Sequence, residues 1–167
     1  MFAAVDARVK APFLIVETGQ PVRSMRRYGG FPHWIRVAAG LEADETVVAN
    51  VERGDALPGR EGFAGVIVSG SAAMVTDRAD WSERSAEWLR EAAHEGLPLL
   101  GICYGHQLLA HAMGGAVDDH PQGLEVGTVP ICLDEQAQDD PLLGGLPVTL
   151  LLAVSMTSTA SPFSSPT

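Results

Sequence analysis

The sequence predicts an α/β fold built on a parallel, doubly wound sheet. Three observations carry that expectation. Short apolar runs alternate with helical patterns, as they do where crossover helices link parallel strands. One of those runs ends in Gly101-x-Cys103-x-Gly105 and a helix follows at once. The composition, 46% hydrophobic and 19% charged, is that of a chain with a substantial core.

The elements follow in order. Phe13 to Val16 is the first apolar run and the first strand. A short helix from His33 to Ala39 is entered through Pro32 and closed by Gly40. Thr46 to Val51 is rich in β-branched residues and makes the second strand. Phe63 to Val68 makes the third and stops at Ser69-Gly70-Ser71. The clearest helix starts at Asp80, with Glu83 placed for a capping box, and ends at Gly96. Trp81, Trp88, Leu89 and Ala92 share one face of it, a spacing that points them at the core. Leu97 to Ile102 is a buried fourth strand, and a helix from His106 to Met113 ends at Gly114-Gly115. Val129 to Leu133 reads as a further strand in which Cys132 is a packed thiol.

A length of 167 residues suits one domain with one core, or one domain with a short appendage. Lys plus Arg number 11 against 21 Asp plus Glu, a formal charge of −10. That surface argues against nucleic acid and anionic membranes as partners. Two cysteines make neither a disulfide scaffold nor a metal-ligand set. No apolar run approaches the ~20 residues of a membrane span. Arg8 and Lys10 precede only the short run Phe13 to Val16, which is too brief for a secretory signal. The reducing cytoplasm is the expected compartment. No Gly-x-Gly-x-x-Gly and no P-loop occurs, so no organic cofactor and no metal is implied.

From Pro141 to Thr167 the chain carries no Asp, Glu, Lys, Arg or His. After the apolar run Val148 to Val154 it becomes a Ser/Thr/Pro tail. The expectation is a domain over residues 1–150 and a disordered tail over 151–167.

The chemistry concentrates at residues 101–107. Gly101-x-Cys103-x-Gly105 has the shape of a nucleophile elbow with Cys in place of Ser. The glycines are needed because a side chain at either would collide with the neighbouring strand or helix. The turn exposes the sulfur at the C-terminal edge of the sheet, at a helix N-terminus that favours an anion. A thiolate attacking a carbonyl needs donors where the oxyanion forms. One is the backbone N–H of Tyr104; the Ser69-Gly70-Ser71 turn lies at the same sheet edge and suits the other.

Gly-Ile-Cys-Tyr-Gly-His-Gln at 101–107, with Val-Ser-Gly-Ser at 68–71, resembles the class I glutamine amidotransferases. The nearer likeness is to stand-alone members similar to the amidotransferase domain of GMP synthase. Gly114-Gly115 and His120-Pro121-x-Gly123-x-Glu125-x-Gly127 extend it. The resemblance implies a three-layer, flavodoxin-like α/β sandwich, here C-terminally incomplete. It implies hydrolysis of the glutamine side-chain amide to glutamate and ammonia, and possible delivery of that ammonia to a synthase partner. By the same resemblance Cys103 is the nucleophile that forms a γ-glutamyl thioester. The amides of Ser71 and Tyr104 form the oxyanion hole, and Gly70 and Gln107 line the substrate pocket. His106 is read as structural, packing the start of the helix.

Two departures stand out. Where the family commonly has Asn and Arg, this chain has His120 and Leu124. The larger departure is the base. The family uses a His oriented by a carboxylate two residues on, in a His-Pro-Glu motif. The five histidines here are His33, His94, His106, His111 and His120, and none reads His-x-Glu. The pattern stops near residue 150, and the expectation is that a frameshift, or a gene fragment, replaced the last part of a normal domain. The expectation is therefore an amidotransferase by descent with little or no glutaminase activity. The alternatives are a non-catalytic binding or regulatory relative, and a γ-glutamyl hydrolase or peptidase on the same fold.

Overall fold

Strands Phe13–Glu17 (β1), Thr46–Asn50 (β2), Gly65–Val68 (β3) and Leu99–Gly101 (β4) form one parallel sheet in the order β2-β1-β3-β4. This is seen in a computed structural model whose described residues are 11–120, 123, 125–133, 135–140, 144–146, 149–156 and 158–160. The register pairs Ile15 with Val48 and Ile67, and Ile67 with Leu100.

Side-chain alternation along the strands divides the core into two layers. Leu14, Val16, Val66 and Val68 point to one face. There they meet Leu89 from helix Asp80–His94 (α2) and Leu108 from helix Tyr104–Ala112 (α3). Ile15 and Ile67 point to the other face and meet Ile35 of helix Phe31–Ala39 (α1). Helices on both faces of a parallel sheet make the three-layer, doubly wound α/β arrangement expected from the sequence.

Local details differ from the expectation. The α2 cap is Ala79, which makes no side-chain cap bond, and Asp80 is the first residue of the helix itself. Its carboxylate still lies in the first turn with Glu83, where the helix dipole favours it. Phe63 precedes β3, and Leu97 precedes β4, because Pro98 intervenes. Trp81 and Trp88 are half-buried, packing against the larger core layer. They also line a cleft of about 240 Å³ with Val51, Asp55 and Arg84.

The chain divides into two compact units. One holds the described residues up to Val117 together with Ala160, and the other spans Asp118–Thr159. In the second, strand Glu125–Cys132 (β6) pairs antiparallel with strand Thr149–Met156 (β7). Strands Val117–Asp119 (β5) and Ser158–Ala160 (β8) form a further two-stranded sheet. Residues 151–156 and 158–160 are extended and paired; residue 157 and residues 161–167 of the expected tail lie outside the described residues. The uncharged run Thr149 to Val154 pairs with β6, which satisfies the backbone groups that face that strand. Cys132, expected to pack, is exposed. Its neighbours Pro130 and Ile131 along β6 are exposed as well.

Candidate active site

Cys103 follows Ile102 in the two-residue turn between β4 and α3, with φ 53° and ψ −109°. A non-glycine residue in that region is strained, and such strain is characteristic of a nucleophile turned out of a strand. The residue is exposed. On its N-terminal side the Ile102 N–H donates to the Val68 carbonyl at 3.0 Å, tying the turn to β3. On its C-terminal side the Gly105 N–H donates to the Ile102 carbonyl at 2.9 Å, and the Gln107 N–H to the Cys103 carbonyl at 3.2 Å.

The two glycines of the motif are held by backbone contact. A Cβ on Gly101 would sit 2.5 Å from the Gly105 carbonyl group and 2.6 Å from the His106 nitrogen. A Cβ on Gly105 would sit 2.5 Å from the Val68 carbonyl oxygen. The collision expected from the sequence is thus a collision with main chain on both sides.

Tyr104 follows Cys103 and is fully buried. Its hydroxyl and that of Ser82 on α2 are 2.7 Å apart, and its ring lies 5.7 Å from that of Trp81 at 31°. Burial pushes the Tyr104 phenol above its ordinary value, against a smaller downward pull from the Ser82 hydrogen bond. Its N–H is at the first position of α3, where no intrahelical carbonyl is available to it.

Gly70 is brought to the cysteine: a Cβ built on it would lie 3.6 Å from the Cys103 Cβ. Ser71 is next to it, its Oγ accepting from the Ala73 N–H at 3.0 Å. Gln107 lies one turn into α3 and is buried. His106, expected to pack the helix start, is exposed instead. It follows Gly105, whose face of the helix meets β3, so the next position turns outward by about 100°. Leu124 lies outside the described residues.

Two features escaped the sequence. Thr18, directly after β1, hydrogen-bonds Ser69 and Gly70, 51 and 52 positions away. The only local signal was its place at the end of a strand beside the point where the strand order reverses. The other is a histidine–carboxylate pair: His111 Nε2 is 3.1 Å from Glu83 Oε1, with Arg78 Nη1 2.8 Å from the same ring nitrogen. His111 is eight residues beyond Cys103 on the same helix, about 12 Å along its axis. The search for His-x-Glu missed the pair because its members sit on different helices. Among the described residues no group of three His, Cys, Asp or Glu side chains is arranged to hold a metal ion. No helix of the described residues is long and apolar enough to cross a membrane.

A model of the glutamine amidotransferase class-I family matches residues 29–154. The chain is 41% identical over 83 residues to the glutamine-hydrolyzing GMP synthase of Thermomicrobium roseum, covering 50% of this chain and 14% of that protein. It is 27% identical over 122 residues to gamma-glutamyl peptidase 4 of Arabidopsis thaliana, covering 72% and 49%. The crystal structure of a glutamine amido transferase from Methylobacillus flagellatus superposes with a TM-score of 0.71 at 25% identity, over 91% of this chain and 57% of that one. The chain therefore spans less than two thirds of each of these three proteins. With most of its residues inside the matching family model, the chain belongs to the class-I glutamine amidotransferases.

Proposed function

We propose that this site attacks the side-chain amide of glutamine or of a γ-glutamyl compound, with Cys103 as nucleophile. The Cys103 thiolate adds to the amide carbon, and the carbonyl oxygen takes the negative charge. The N–H groups of Tyr104 and Ser71 receive that oxyanion, while Gly70 and Gln107 line the pocket. The C–N bond then breaks, ammonia leaves with a proton drawn from the medium, and a thioester remains. Water hydrolyses the thioester to the free acid and regenerates the thiol.

The observation that carries this reading is the strained, exposed Cys103 at the start of α3, with Gly70 against it. Turnover is a separate matter. Departure of ammonia is accelerated by a positioned acid, typically about 10²–10⁴-fold. The histidine–carboxylate pair of His111 with Glu83 is remote from the sulfur. The reading is therefore acylation without efficient turnover in this chain, in a reducing compartment that keeps the thiol free. A synthase that accepts the ammonia is the partner suggested by the GMP synthase relatives.

The similarity to a gamma-glutamyl peptidase over 72% of this chain favours one second reading, a γ-glutamyl peptide as substrate. A non-catalytic binding role is the third.

The test is a diazoketone analogue of glutamine followed by peptide mass spectrometry, beside an ammonia-release assay. The expected result is an adduct on Cys103, none on Cys132, and ammonia release near background. Equal labelling of both cysteines, or of neither, would overturn the nucleophile assignment. Competition by γ-glutamyl dipeptides but not by glutamine would favour the peptidase reading.

A further inference from the structure

The loop that carries Ser71 contains Gly70, and a glycine offers no resistance of its own to rotation of the adjoining peptide. Something else must set its orientation. The Gly70 carbonyl is approached by two hydroxyls, Ser69 Oγ at 3.1 Å and Thr18 Oγ1 at 3.2 Å. Those hydroxyls are themselves tied together. The Thr18 N–H donates to Ser69 Oγ at 3.0 Å, and Thr18 Oγ1 donates to the Ser69 carbonyl at 2.9 Å. Thr18 is 0% and Ser69 1% exposed, so water cannot replace a partner that moves away.

The Gly70 carbonyl and the Ser71 N–H belong to one peptide unit. No described peptide bond is cis, so the two groups lie in the peptide plane and point in opposite directions. Holding the carbonyl therefore fixes the direction of the N–H. Gly19 closes the same corner from behind. A Cβ there would lie 2.8 Å from the Ser71 Cα, so the chain after β1 is already in contact with the loop.

We infer that Thr18 is a positioning residue: with Ser69 it locks the Gly70–Ser71 peptide, so that the Ser71 N–H keeps one orientation, toward Cys103. This rests on the reading of Ser71 as an oxyanion donor, and it adds the device that preorganises that donor. Rotating the peptide would take its acceptor from the Ser69 hydroxyl, and from Thr18 Oγ1 the longer of two acceptors, the Ser69 carbonyl remaining at 2.9 Å.

The experiment compares Thr18→Val, Thr18→Ser and Ser69→Ala with the parent. Relaxation dispersion of the Gly70 and Ser71 amides reads the lock without any reaction. Labelling of Cys103 by the diazoketone, relative to iodoacetamide, reads its consequence, because simple alkylation needs no oxyanion hole. In Thr18→Val, exchange broadening is expected at both amides. Diazoketone labelling should slow at least about tenfold while iodoacetamide stays within about twofold. Thr18→Ser should restore both readouts, and Ser69→Ala should reproduce the loss if Thr18→Val does not fold. Sharp, unshifted amides in Thr18→Val would overturn the lock. Broadened amides with parent-like diazoketone labelling would overturn its positioning role. A parent protein with no diazoketone selectivity would sink the oxyanion reading instead, and the amide dispersion would still decide whether the lock exists.

Discussion

The carbonyl oxygen of Val68 lies 2.5 Å from where a side chain on Gly105 would begin. The last residue of β3 and the first turn of α3 are therefore packed main chain to main chain. Gly101 meets Gly105 and His106 with equal closeness, so the turn at Cys103 is gripped from both ends. Neither contact can yield by rotating a side chain, since the obstacles are backbone atoms.

Gly101→Ala and Gly105→Ala should each destabilise the protein by about 1–3 kcal/mol, the usual range for overpacking a dense core. Urea denaturation checks the loss. Gly70→Ala is the control, because its Cβ would lie at an ordinary 3.6 Å from Cys103 and should cost far less.

Cys103→Gly should remove labelling and, unlike most replacements, raise stability. A non-glycine residue at φ 53°, ψ −109° carries about 1–3 kcal/mol of strain, more than the ~0.5–1 kcal/mol of extra chain entropy that glycine loses on folding. Cys103→Ser should remove labelling with stability little changed. A Cys103→Gly protein less stable than the parent would count against the strain.

Tyr104 should make the protein sensitive to alkali. Its phenol is held above the ordinary value of 10.0 by burial. The unfolded chain then releases this proton at a lower pH than the folded one. The contribution is fully present below pH 10 and is lost as pH rises through the folded value. Tyr104→Phe should lose less stability on going from neutral pH to above pH 10. At neutral pH it should be about 1–3 kcal/mol weaker, since Ser82 is left buried without its partner. Paired urea titrations separate the two effects.

His111→Ala should leave diazoketone labelling of Cys103 unchanged and cost at most about 1 kcal/mol. Its partner Glu83 has a side chain 42% exposed, and pairs open to solvent contribute little. A loss of labelling comparable to that of Thr18→Val would show that the Glu83–His111 pair reaches the sulfur by a route the helix geometry does not provide.

Much of the fold was legible because its causes are local. Four short apolar runs with helices between them specify parallel strands, and alternation sends Leu14 and Val16 one way and Ile15 the other. The elbow was legible for the same reason: Gly101, Cys103 and Gly105 meet the next turn of chain and the adjoining strand. Capping was less legible. Asp80 and Glu83 satisfy the capping-box pattern, yet the chain enters the helix one residue earlier. His106 followed the motif but not the packing, because burial depends on which side of α3 meets β3.

Local order along the polypeptide, from apolar spacing to the glycines around Cys103, established a parallel α/β domain with a sulfur presented at a sheet edge. Which distant side chains meet was settled by folding alone. Thr18 reaches Ser69 across 51 positions, and His111 finds Glu83 on another helix. Spacing along a chain constrains neighbours within a turn or a strand pair; contacts between distant segments exist only once the sheet order and helix packing have brought them together.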